Sequence, residues 1–327
     1  MKYILVSLLS VFLFTACSGK KYFEPEDTSS NIELNEKSIP ATIKSFNKIG
    51  ATLEDNKVIT KNGISQNELP EGFEFLNLTE DGRIIATNYI DKILIGNQER
   101  KVSEVVVAAS LRNEKLALIY SNNSMELIDI NTNKTLFKEY LPISLANDTR
   151  ITNPFFMGNL ILFPSLNGRV IIVSSVNNEA VRNISVDPDS QFNNIIYIGV
   201  IESNQTLIVA SPNRVVSISP RDVISKEYDL RDIIVNNNDI YIATIDGQII
   251  KLNATLDQVA KKKYKYAKIH ALAFSDSLYA VESQGFLINI DENFDKDVIY
   301  DFSFDNEERM IAIGNKIYFG SDYITLP

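Results

Sequence analysis

From residue 38 onward the chain shows no sustained apolar period of 3.6 residues. Short runs of Val, Ile, Leu, Tyr and Phe are broken every eight to twelve residues or so by Asn, Asp, Gly and Ser clusters, the pattern of an all-β sandwich, barrel or propeller. One motif recurs: an apolar run, a turn, then a second apolar run. It reads Leu160–Phe163 then Gly168–Val173, Ile240–Ala243 then Gly247–Leu252, and Leu278–Val281 then Gly285–Ile290. Further copies turn at Asn123, Asn213 and Ser321, and weaker ones at Asn56 and Asp91. Successive turns lie 32 to 45 residues apart. That spacing suits a four-stranded propeller blade, whose repeats run to roughly 40 residues. Gly, Asn and Asp at the turn fit a hairpin position that requires positive φ.

Eight turns predict a single all-β propeller of eight blades, or seven if the weak first copy is not a blade. The last unit runs out at Pro327 after its second strand in the motif. The segment Pro40–Phe46 is expected to supply the outer strand of that blade and close the ring, removing an open sheet edge.

The first 37 residues differ. Lys2 precedes an apolar run from Ile4 to Phe14, then Thr15, Ala16 and the sole cysteine, Cys17. This is the pattern of a secretory signal peptide, too short for a transmembrane span of about 20 residues. The junction Phe14-Thr15-Ala16-Cys17 resembles the bacterial lipobox, with Phe14 where that pattern prefers Leu. The resemblance implies a signal peptide over 1–16 and lipidation, palmitate included, on Cys17. Several acyl chains, at about 0.8 kcal/mol per buried methylene, hold a protein durably on a membrane. Ser18, in place of Asp, favours the outer membrane, facing the periplasm. Residues 17–37 read as a polar, flexible tether and 38–327 as the propeller.

Composition narrows the chemistry. Forty-two acidic residues against 32 basic ones give a net charge of −10, which argues against a nucleic-acid partner. One cysteine and one histidine leave no Cys-cluster or His-rich metal site, so no metal or cofactor is expected. His270 reads as an ordinary strand residue, without a second histidine or cysteine to work with. The acidic pairs Glu54–Asp55, Asp187/Asp189 and Glu307–Glu308 read as solvated turns, and Asp291–Asp295 has only a loose calcium-loop look. Lys261–Lys268, interleaved with Tyr264 and Tyr266, reads as an exposed outer strand, or as a patch for an anionic headgroup or acidic partner. Asn204, in Glu202-Ser-Asn-Gln-Thr206, is a candidate N-glycosylation acceptor of the bacterial type.

The segment Asn123–Phe137 resembles the PQQ-type propeller repeat. Ile128 and Asp129 stand at its Leu-Asp pair, Thr132 and Lys134 at its turn, Asn133 at a Gly position and Phe137 at its Trp position. Gly168–Arg182 repeats the length, with Asn178 at the second Gly position. The chain contains no Trp, so the quinone floor of the family's dehydrogenases is missing and no catalysis is expected. With the lipobox, the layout is similar to BamB-type lipoproteins of the outer-membrane β-barrel assembly machinery. That resemblance implies a scaffold that binds the barrel subunit of the machine. The other expectation is a propeller that takes a small ligand or cell-envelope component in its central channel, or a degenerate quinoprotein.

Overall fold

The computed structural model describes residues 21–29, 34, 36–144, 146–302 and 308–327. The expected lipid site Cys17, the signal peptide and Glu307 lie outside the described residues. Eight antiparallel four-stranded sheets form a ring, an eight-bladed β-propeller. Blade 1 starts with Ile43–Asn47, blade 2 with Glu74–Leu78, blade 3 with Val106–Arg112 and blade 4 with Phe155–Met157. Blades 5 to 8 start with Tyr197–Ile201, Leu230–Asn236, Ile269–Phe274 and Met310–Ile313. In each blade this first strand is innermost; in blades 1 to 7 the next three follow outward in chain order, and in blade 8 the next two do.

Every pair of neighbouring blades shares its own apolar cluster. Leu76, Ile93 and Leu118 fill the seam between blades 2 and 3, Ile119, Leu127 and Phe163 that between blades 3 and 4. Ile43, Leu53, Ile311 and Tyr318 fill the one between blades 8 and 1. The alternation of the strands explains this: a blade buried on both faces gives near-continuous apolar runs in its middle strands and polar outer strands. Phe137 packs half-buried against Phe163 at 6.0 Å in the seam between blades 3 and 4.

One hydrogen bond recurs at every blade. The carbonyl of the residue marking the turn between the second and third strands accepts the N–H of a residue beyond the outer strand: the next residue in seven blades, and in blade 1 Leu69, five residues past Gly63–Ile64. The acceptors are Asn56, Asp91, Asn123, Gly168, Asn213, Gly247, Gly285 and Ser321, and the donors are Leu69, Val102, Leu141, Val186, Tyr228, Tyr264, Phe302 and Ile39. All eight turn residues identified from the sequence repeat therefore hold equivalent places. The expected positive φ is found at Asn56, Asn123, Gly168, Gly247 and Gly285. In the three other turns the marker lacks it. Tyr89 and Gly320 take the left-handed conformation in place of Asp91 and Ser321. At Pro212–Asn213 the proline ring fixes a negative φ in the first position of the two-residue connection.

The ring closes through the N-terminal part of the chain, but not through the segment expected. Lys37–Ser38 pairs antiparallel with Asp322–Thr325 as the outer strand of blade 8, whereas Ile43–Asn47 within Pro40–Phe46 and beyond is the inner strand of blade 1. The physical reason lies at Ile39. Its N–H is the one that bonds Ser321, its side chain is buried in the seam between blades 8 and 1, and Pro40 after it has no N–H to offer a ladder. The tether expectation also fails over its described part. Phe23 is buried between blades 6 and 7, edge-on to Tyr264 at 6.0 Å and Phe286 at 5.6 Å. Ser29 donates its N–H to the Ile299 carbonyl at 2.8 Å.

The turn glycines make a direct prediction. A Cβ on Gly168 (φ +77°) would stand 2.2 Å from the Asp187 carbonyl oxygen, whereas one on Gly158 (φ +54°) would meet nothing within 4 Å. Gly158→Ala is expected to cost about 1–2 kcal/mol, the price of the left-handed backbone. Gly168→Ala is expected to cost roughly twice that or more, because backbone must also move. Denaturant unfolding of the two variants checks the difference.

Candidate functional site

The inner strands line a central channel, and hydrogen bonds between neighbouring inner strands fix its wall. Asn47 Nδ2 donates to the Leu76 carbonyl at 2.9 Å, joining blades 1 and 2. Asn77 Nδ2 donates to the Ala109 carbonyl at 2.8 Å and to Ser110 Oγ at 2.7 Å, joining blades 2 and 3. Ser110 Oγ donates to the Pro154 carbonyl at 2.6 Å, reaching blade 4. The Tyr197 hydroxyl accepts the Val235 N–H at 3.0 Å, joining blades 5 and 6. Asp232, buried, accepts the Ile233 N–H on Oδ1 at 2.9 Å and the Leu272 N–H of blade 7 on Oδ2 at 2.7 Å. Its Oδ1 also pairs with Lys48 Nζ, which arrives from blade 1.

Near the start of the inner strand, at its second residue in blades 1, 3, 6 and 7 and its third in blade 2, there is a shift of register, a β-bulge. Such bulges re-aim the side chain of the extra residue. In blades 2 and 3 that residue is Leu76 or Val107, but in blades 1, 6 and 7 it is Lys44, Arg231 or His270. Arg309, next to the inner strand of blade 8, completes an arc across blades 6, 7, 8 and 1. All four line a cavity of about 490 Å³ at this end of the channel. A second cavity, of about 530 Å³, lies at the hairpin end of the inner strands and meets the first at Lys48, Tyr197 and Ala312. Its walls include Ile49, Val235, Leu272, Phe274 and Ile313.

The cations differ in how they are held. Arg150 is clamped by Asp148, with Nε to Oδ1 at 2.8 Å and Nη2 to Oδ2 at 2.6 Å, and its Nη1 donates to the Leu230 and Arg231 carbonyls. Arg309 donates to the Ile43 carbonyl at 3.3 Å. Lys44 lies 3.9 Å from Glu74. Arg231 forms no ion pair among the described residues. Burial pushes the His270 imidazolium down, Arg231 and Lys268 reinforce that, and the nearby Glu282 opposes it, so the ring is neutral at pH 7.

Other residues singled out from the sequence fall elsewhere. Asn204 is exposed in a short 3₁₀ turn, Glu202–Asn204, between the first two strands of blade 5, where its Oδ1 accepts the Thr206 N–H at 3.1 Å. Asp187 is not a solvated turn residue: it is fully buried and accepts the Ser190 and Ser211 hydroxyls at 2.7 and 2.6 Å. Asp189, Glu54 and Glu308 are exposed, and Asp55 pairs with Lys57. Asp291 caps a turn, its Oδ1 accepting the Lys296 N–H at 3.2 Å. The basic run is an outer strand only as far as Lys263. Lys262 and Lys263 are paired with Asp297 and Asp246, and Tyr264 is buried in a blade seam instead of facing solvent. Among the described residues no group of three His, Cys, Asp or Glu side chains gathers to hold a metal ion, and no helix is long and apolar enough to cross a membrane.

The fold is thus an eight-bladed propeller whose stapled channel holds two cavities among the described residues. No family model matches the chain. It is 26% identical to the plasminogen-binding protein PgbB of Helicobacter pylori strain J99, over 98% of this chain and 67% of that protein. The same protein of Helicobacter pylori strain 26695 is 25% identical over the same shares. Among solved structures, BamB from Moraxella catarrhalis superposes with a TM-score of 0.66 at 11% identity, over 88% of this chain and 97% of that one. The C-terminal WD40 domain of Sif2 superposes with a TM-score of 0.62, also at 11% identity, over 94% of this chain. Identities this low in the structures speak for the fold alone.

The Arg150 clamp yields a pH prediction. Burial raises the Asp148 carboxyl, but the hydrogen bonds and charge of Arg150, with Arg231 behind them, outweigh it and hold the group below its ordinary value of 3.8. A lowered carboxyl stabilises the fold above its unfolded-state value and loses that contribution as the pH falls through the folded value. The stability gap between the wild type and Arg150→Gln is therefore expected to be flat from pH 8 to 5 and to narrow below about pH 4. Denaturant titrations at stepped pH read it directly.

Proposed function

We propose that the protein is a lipid-anchored scaffold of the bacterial cell envelope that works by binding other proteins and catalyses no reaction. The observation that carries this reading is the closed eight-bladed ring. It is a frame that presents eight sets of loops on each face, with Asn47, Asn77, Tyr197 and Asp232 joining neighbouring blades. The relatives point the same way, one being described as a plasminogen-binding protein and a similar fold being BamB. Within that class, the proposed role is a BamB-like accessory to outer-membrane β-barrel assembly, docked on the barrel subunit. Plasminogen binding is the rival suggested by the relative's description.

The lipobox-like junction at Cys17 supports the anchor, on the outer membrane and facing the periplasm. The docked segment from Lys21 adds a consequence. With Phe23 held in the seam between blades 6 and 7, only Ser18 to Tyr22 separate the anchor from the docked residue, a reach of at most ~22 Å. The propeller then stands close to the membrane, not at the end of a long tether. Glycosylation of Asn204, in its exposed turn, belongs to the same proposal and requires a host with the transferase.

Two measurements in the native host test the reading. Metabolic labelling with palmitate is expected to mark the wild type and to miss Cys17→Ser. Affinity capture through a C-terminal tag is expected to recover the barrel subunit, with lower levels of barrel proteins after deletion. Capture without any assembly subunit, together with unchanged barrel proteins, rejects the assembly role, and recovery of plasminogen from serum by the purified chain favours the rival.

A further inference from the structure

The cationic arc of the channel is not explained by a protein-binding rim. The chain carries a net charge of −10, yet the basic residues Lys44, Arg231 and Arg309 converge on one cavity from three separate blades. Two of them stand on β-bulges, which turn a side chain that a regular strand would place in a blade face. Among the described residues, Asp232 in the same wall is committed to Lys48 and to two backbone N–H groups and Asp148 to Arg150, while Glu74 stands 3.9 Å from Lys44 and offsets only that part of the arc. Holding like charges together around a narrow space costs energy unless an opposite charge arrives.

The rest of the channel has different chemistry. Beyond the Lys48–Asp232 pair, the second cavity is walled mainly by apolar residues, Ile49, Val235, Phe274 and Ile313 among them, with Lys61, Asn77 and Asn236. Ile49 is 40% exposed, although it is a large aliphatic residue. The two spaces, about 490 and 530 Å³, are each the size of an organic ligand site, commonly about 300–1,000 Å³. The wall between blades is fixed by the staples of Asn47, Asn77, Tyr197 and Asp232, so the site is built before any ligand enters.

We propose that the channel binds an amphipathic anion, with a carboxylate or phosphate head among Lys44, Arg231 and Arg309 and an apolar body lying toward Ile49, Val235 and Phe274. The cations supply charge-assisted hydrogen bonds to the head, and the aliphatic wall takes the body out of water. The head end is the end at which the inner strands begin, so the ligand enters with one orientation. This site is independent of the membrane anchor and of the protein partner.

Isothermal calorimetry on the purified chain tests it, with decyl phosphate below its micelle concentration as the probe. One saturable site per chain is expected, weakening as salt is raised. Inorganic phosphate, which lacks the body, and decyl maltoside, which lacks the charge, are expected to bind at least tenfold more weakly, about 1.4 kcal/mol. Arg231→Glu, at an exposed position that forms no ion pair among the described residues, is expected to weaken decyl phosphate roughly tenfold. Ile49→Asp is expected to weaken it comparably, and Arg231→Gln by less. Unfolding midpoints near that of the wild type show that each variant is folded. No saturable binding, equal affinity for inorganic phosphate or for decyl maltoside, or unchanged affinity in folded Arg231→Glu and Ile49→Asp each overturns the proposal.

Discussion

A single hydrogen bond, made once in each blade, sets the architecture. The turn carbonyl between the second and third strands takes the N–H of a residue beyond the outer strand. That bond pulls the departing chain back against the blade and delivers an apolar side chain, such as Leu69, Val186 or Ile39, to a buried place. It also sends the chain inward to begin the next blade. A backbone amide buried without a partner would cost about 1–3 kcal/mol, so the bond is strongly favoured over leaving that amide unmet. In blade 8 the donor comes from Ile39, at the other end of the propeller, and the same geometry that builds one blade thereby closes the ring.

Closure has a consequence for the channel. In an open fan of blades the inner strands would be free to spread, and their polar side chains would find water. In a closed ring they are held near one another, and Asn47, Asn77, Tyr197 and Asp232 spend their hydrogen bonds on the neighbouring blade. Those staples are local to each seam, so the channel keeps its shape through many small links instead of one core. The β-bulges then act on a fixed frame. A bulge in blade 6 can hold Arg231 in the channel only because Asp232, one residue on, is tied to blade 7 and to Lys48.

The fold was largely legible in the sequence, because propeller repeats write their turn positions into the chain. All eight marked turns fall between the second and third strands, and Asn133 and Asn178 adopt the left-handed conformation that their Gly-like positions imply. The closing strand was misplaced by a few residues. Lys37–Ser38 is two polar residues long and carries no apolar period, whereas Pro40–Phe46 looks more like a strand. The docking of Phe23 was hidden for a similar reason: one aromatic residue in a polar stretch has no periodic partner. The channel was barely legible. Its cations are far apart in sequence, and only the topology shows that Lys44, Arg231 and Arg309 share a cavity. A faint signal existed, since Lys44, Arg231 and His270 each follow the first apolar residue of an inner strand. The burial of Asp187 is not legible in its own segment, because it depends on the neighbouring blade, which supplies Ser211.

Hydrogen exchange on the eight donor amides reads closure most directly. The account predicts that the Ile39 amide, at 2.8 Å from the Ser321 carbonyl, exchanges only through the same cooperative opening as the Val186 and Tyr264 amides, each also at 2.8 Å from its turn carbonyl. Protection at all three positions then falls together as denaturant is added. An Ile39 amide that exchanges as fast as a frayed terminus, while Val186 and Tyr264 stay protected, would contradict it.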